Sequence, residues 1–129
     1  MQFTIALAAT LFVSAINAVP ISGSSDTIPN ITISLINDRT GANAQATVRG
    51  DGLARNIPDL FRGTAIDQNG QYLATSAQLI GFTEHTRCFF QNYNWIINLN
   101  GKDLTYVDID GDKTKATPIN MDGFNLQCV

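Results

Sequence analysis

Histidine and glutamate each occur once in this 129-residue sequence, as His85 and Glu84. A metal site built on two imidazoles is therefore excluded, and a histidine-based triad has a single possible base. Neighbours in a strand point to opposite faces, so Glu84 is not automatically placed to orient His85. Lysine and arginine number only 8, scattered along the chain, and the formal net charge is −3. No basic stripe exists for releasing counterions from a nucleic acid, which excludes that class of partner. After the first eighteen residues there is no second long apolar run, so no membrane span is expected. No serine stands in a G-x-S-x-G elbow. A glycosidase needs two matched carboxyl groups, and the eleven acids single out no pair. Nothing in the residues calls for a cofactor.

What is present begins with MQFTIALAATLFVSAINA. Its apolar centre is too short for a membrane span and ends on the small Ala18, the pattern of a secretory signal peptide over residues 1–18. The polar stretch ISGSSDT follows, and residues 19–29 read as a flexible leader. The remainder, 30–129, is the length of one domain, with no repeat and no linker. An exported, extracellular protein is expected. On that oxidising route Cys88 and Cys128, the only cysteines, are expected to form one bridge.

The composition favours strands and turns: ten of the eleven acids are Asp, and Asn, Thr and Gly abound. ITISLI places Ile31, Ile33 and Leu35 on one face, and NAQATV returns after NDRTGAN with Ala44, Ala46 and Val48 alternating. Asn56, Pro58 and Asp59 predict one helical turn that tucks Leu60 and Phe61 inward. Asn69-Gly70 predicts a two-residue hairpin pairing Asp67 with Tyr72 and Ile66 with Leu73; continuing that face brings Leu73, Ala77 and Leu79 to the core. A phase change at Gly81 predicts a bulge. Asn100-Gly101 predicts a second hairpin, with Ile97 opposite Leu104 and Trp95 opposite Tyr106. Its two partly apolar faces suggest a strand covered on both sides. FNLQC alternates Phe124, Leu126 and Cys128 as a closing strand. The expected fold is all-β, a small antiparallel β-sandwich or barrel of about seven to eight short strands with one disulfide.

Four features bear on function. Asp108, Asp110 and Asp112 in DIDGDK resemble the start of a calcium loop, but Gly111 and Ile119 stand where the EF-hand pattern does not want them. The preferred reading is a hairpin tip pairing Asp108 with Lys113, with no metal bound. Arg49-Gly50-Asp51 is the tripeptide read by some adhesion receptors, and equally an ordinary turn after Val48. Asn30-Ile31-Thr32 is a glycosylation sequon, consistent with export. Tyr72, Tyr93, Trp95 and Tyr106 fall on or beside strands, where flat rings stack on sugars or anchor a protein.

The signal, the run ITISLINDRTGANAQATVRGDG and the run TAIDQNGQYLATSAQLIGFTEHTRC resemble a group of small secreted fungal proteins of effector-candidate type, over about residues 31–88. The resemblance implies a fungal, extracellular setting and a role directed at a host or a microbe. It carries no active site. Together these readings describe a monomeric secreted binding protein whose partner is a host or microbial protein or a cell-wall glycan. The alternatives are a small secreted hydrolase and a calcium- or glycan-binding structural protein.

Overall fold

The computed structural model describes residues 27–129. The signal peptide and all but the end of the leader lie outside them. The alternating run at 31–35 forms β1 (Asn30–Asn37), which turns through 38–41 into β2 (Ala42–Arg49) with full antiparallel register from Asn30↔Arg49 to Asn37↔Ala42. Ile31, Ile33 and Leu35 are fully buried, and Val48 joins them. β3 (Arg55–Asn56) leads into the single helical turn α1 (Ile57–Phe61), where Pro58 fits because the first helical N–H groups need no partner. Ile57 and Phe61 point inward; Leu60 is only partly buried.

β4 (Asp67–Gln68) and β5 (Gln71–Ala74) form the hairpin expected at Asn69-Gly70, pairing Asp67 with Tyr72. Asn69 and Gly70 take φ of 56° and 88°, as a mirror-type turn requires. The inward face here is Tyr72 and Ala74, not Leu73. Thr75 breaks the phase: buried, it donates its backbone N–H to Ile36 O at 2.7 Å and its hydroxyl to Asp38 Oδ2 at 2.7 Å. β6 (Ser76–Gly81) resumes with Ala77 and Leu79 inward, and its register on β1 jumps from Leu79 to Gly81, the bulge expected there.

The second half departs from expectation at Asn100-Gly101. β7 (Arg87–Asn92) and β8 (Trp95–Asn100) are the hairpin, joined at Tyr93-Asn94, and β9 (Tyr106–Asp108) crosses to pair with β6. Neither Asn100 nor Gly101 has positive φ. The Asn100 side chain instead accepts from the N–H groups of Lys102 and Asp103 at 2.9 Å each, and a wider turn results. β8 is consequently an edge strand, and Ile96 is exposed rather than covered. β10 (Ile119–Asn120) pairs with β5; a 3₁₀ turn, Met121–Gly123, then delivers β11 (Asn125–Cys128) between β3 and β7.

The described residues thus form three antiparallel sheets, ordered β2-β1-β6-β9, β10-β5-β4 and β3-β11-β7-β8. The fold is all-β, with eleven strands where seven or eight were expected, several of them only two residues long. One hydrophobic core joins the sheets, with Phe61, Phe90, Phe124 and Met121 among its largest members. Cys88 and Cys128 are bonded to each other across β7 and β11, with Cα atoms 4.1 Å apart. Arg87 and Val129 next to them exchange both backbone hydrogen bonds, so the bridge joins a non-hydrogen-bonded pair, the type in which side chains approach most closely.

Candidate functional site

Alternation along β11, β7 and β8 decides which side chains leave the sheet. Phe124, Leu126, Cys88, Phe90, Ile97 and Leu99 go into the core. Their neighbours line the opposite face in registered rows: Asn125–Gln91–Ile96, then Gln127–Phe89–Asn98. Asn56 of β3 continues the first row. Six amides (Asn100 opposite Arg87 being the sixth), one half-buried aromatic ring, one isoleucine and the cation Arg87 share this face, and none of its outward strand positions is a carboxylate. The amides order one another: Gln127 Nε2 donates to Asn125 Oδ1 at 3.0 Å and to Gln91 Oε1 at 3.4 Å.

One end of the face opens into a cleft of about 1140 Å³, lined by Phe89, Asn98 and Gln127 and bounded by the turns at 83–86 and 101–103. Glu84, His85 and Asp103 stand at its lip. His85 Nε2 lies 3.6 Å from Glu84 Oε2, but both side chains are largely in water, 88% and 74% exposed.

At the other end the β7–β8 hairpin ends in Tyr93, 90% exposed and at φ 55°. Its carbonyl accepts from Gln91 Nε2 at 3.2 Å, which ties the tip to the amide rows. Left-handed backbone is uncommon for an aromatic residue and costs free energy that Gly or Asn would not incur. Beside it Trp95 is 44% exposed and meets the buried Phe124 edge-on, centroids 5.2 Å apart, so half its ring is anchored and half is open. Of the other aromatics marked by the sequence, Tyr106 is half-exposed on β9, with its hydroxyl 3.4 Å from Asp108 Oδ1, whereas Tyr72 is 3% exposed and belongs to the core.

The acidic loop is not a hairpin: after Gly111 the chain makes no strand until β10, which pairs with β5, so Asp108 has no ladder partner at Lys113. Asp110 accepts from the N–H of Asp112 at 3.0 Å and of Thr117 at 2.6 Å. Asp112 accepts from the hydroxyl and the N–H of Thr114, which holds its carboxyl below the usual carboxylate range. Among the described residues no three His, Cys, Asp or Glu side chains gather as a metal site would require. These acids order the loop.

Asp51 of the Arg49-Gly50-Asp51 turn is likewise engaged. Arg55 grips both its oxygens, at 3.0 and 2.9 Å, and the Leu53 N–H donates to it at 3.0 Å. The guanidinium contact, helped by that N–H, brings the Asp51 carboxyl down to about 2. Gly50 packs so closely on Ile31 that a Cβ there would sit 3.0 Å from Ile31 Cδ1. Asn30, the sequon residue, is exposed at the start of β1. No helix of the described residues is long and apolar enough to cross a membrane. No protein-family model, curated protein or solved structure matches the chain.

The amide face could not be read from sequence alone. Asn and Gln were visible only as turn and strand residues until the register placed six of them together.

Proposed function

We propose that this chain is an exported binding protein, of the fungal effector kind its sequence resembles, and that it holds a neutral, extended glycan along the β11–β7–β8 face. The carrying observation is Tyr93. An aromatic ring held almost wholly in water, on a backbone conformation that disfavours it, is a local cost without a folding return, and such costs concentrate where a partner is bound. The amides supply paired donors and acceptors of the kind that sugar hydroxyls match, and Phe89 on the face and Tyr93 at the hairpin tip supply flat apolar surface for ring faces. From the cleft to the hairpin tip the face runs about 20 Å, room for several sugar units.

Affinity electrophoresis against a panel of neutral and acidic cell-wall polysaccharides tests the reading. Retardation by a neutral polymer, lost in Tyr93→Ala and Phe89→Ala, is expected. Failure of every polysaccharide to retard the protein would reject it, and capture of a host or microbial protein through Tyr93 and Trp95 would replace the glycan with a protein partner. A second reading, a small hydrolase, draws on Glu84, His85 and Asp103 at the cleft lip. It requires a polymer-cleaving activity that His85→Ala abolishes while binding persists.

A further inference from the structure

The eight residues of β2 form the outer strand of their sheet, and β1 is their only strand partner among the described residues. Two observations fix which backbone groups of β2 are open. Gly50 N–H donates to Pro29 O at 2.9 Å, so by the alternation of an antiparallel ladder Val48, Ala46 and Ala44 bond to β1 while Thr47, Gln45 and Asn43 turn their N–H and C=O groups away. From the other end, Ile36 O is taken by Thr75 N–H on the β6 side, which leaves its partner Asn43 unbonded to β1. At Arg49 the edge is closed, because Arg55 Nη1 reaches the Arg49 carbonyl at 3.3 Å.

Proteins ordinarily blunt such an edge with a short strand, a lysine, a proline or a bulge. Most of the other outer strands are short: β9 has three residues and β3, β4 and β10 have two each, while β8, with six, is bridged to Leu104 at its end. From Ala42 to Val48 β2 carries none of these devices and no charge.

We propose that this edge pairs with the same edge of a second copy of the chain, antiparallel and centred on Gln45. The two-fold register selects the partner. With Gln45 opposite its own counterpart, Asn43 faces Thr47 of the second copy, and every open N–H and C=O of the three residues meets an open group. Centring on Asn43 runs the strand into the turn at 38–41, and centring on Thr47 runs it into the closed Arg49 end. Side chains agree with the backbone. Asn43, Gln45 and Thr47 share the solvent face of the joined sheet, while the partly buried Ala42, Ala44 and Ala46 stripe continues from one copy to the next on the core side. No like charges meet. The pairing is a β-augmentation of the chain by itself, in place of the monomer expected from the sequence.

Sedimentation velocity of the purified chain over roughly micromolar to millimolar loading should show a reversible monomer–dimer equilibrium, in the range where an exposed strand pair of this size associates. Gln45→Lys sets two like charges directly opposite each other and should weaken the dimer at least about tenfold without changing the circular dichroism. Gln45→Pro removes an outward N–H only, which an edge strand tolerates, and should act the same way. In air, Gln45→Cys should give a covalent dimer. Asn43→Cys should not, since the two copies of position 43 would lie about 14 Å apart. A monomer throughout the range, or a dimer indifferent to both Gln45→Lys and Gln45→Pro, overturns the proposal.

Discussion

Arg55 and Asp51 are joined by two parallel hydrogen bonds, of 3.0 and 2.9 Å, that close the turn between β2 and β3. The pair holds the Asp51 carboxyl down to about 2, from an ordinary value of 3.8. A group whose folded value is depressed adds stability above its unfolded value and loses it as pH falls toward the folded one. Thermal melts should therefore show stability falling between about pH 4 and pH 2, and part of that fall should vanish in Asp51→Asn. The same pairing bears on adhesion. Because Asp51 is held by Arg55, the tripeptide should not support integrin-type cell attachment unless Arg55 is replaced.

Replacing Tyr93 separates folding from binding. Tyr93→Gly relieves the left-handed backbone and should stabilise the protein by roughly 1 kcal/mol in denaturant titration. It should also abolish retention on the polymer that the wild type binds. A variant that loses stability would show that Tyr93 serves the fold and that the positive φ is no mark of function.

The bridge between Cys88 and Cys128 closes a loop of sequence separation 40 inside a paired ladder. Chain-entropy reasoning makes it worth about 4 kcal/mol. Cys88→Ser/Cys128→Ser should melt on the order of 15 °C lower or more. Alkylation of the untreated protein should label neither cysteine.

Two glycines should respond differently to alanine. A Cβ on Gly101 would collide with the Thr83 carbonyl and come within 2.9 Å of the Phe82 ring, while Gly101 N–H holds Thr86 O at 2.9 Å. Gly101→Ala should cost about 1–3 kcal/mol by overpacking backbone against backbone. At Gly111 there is open space and φ is 71°, so Gly111→Ala should carry only the left-handed penalty, about 1 kcal/mol.

That contrast shows where the sequence could be read and where it could not. Asn69-Gly70 and Asn100-Gly101 are the same dipeptide, and only the first makes a two-residue hairpin. At the second, Gly101 is needed for space beside Thr83, a neighbour from a different segment that no local pattern contains. The real hairpin turns at Tyr93-Asn94, which carries no glycine to announce it. The faces of β1, β2 and β11 were legible because each alternates cleanly against one core. Tyr72 was misplaced because buried Thr75 resets the phase between β5 and β6 through bonds to Ile36 and Asp38, again from another strand. Tyr93 and Trp95 could be marked from chemistry alone. The amide face needed the register of β11 on β7, a pairing more than thirty residues apart in the chain.

The position of β11 has a consequence for how the molecule is made. Arg55 pairs with Leu126, and Cys88 with Cys128, so the sheet around β7 has no centre until β11, residues 125–128, is available. A ribosome emitting this chain would release the β1–β2 hairpin early, since its contacts are local, and then hold β3, β7 and β8 without their middle strand. During that interval the open edge of β2 and the unpaired edges of β3 and β7 are all exposed together, which is the stage at which the chain is most open to wrong strand pairing, until β11 inserts.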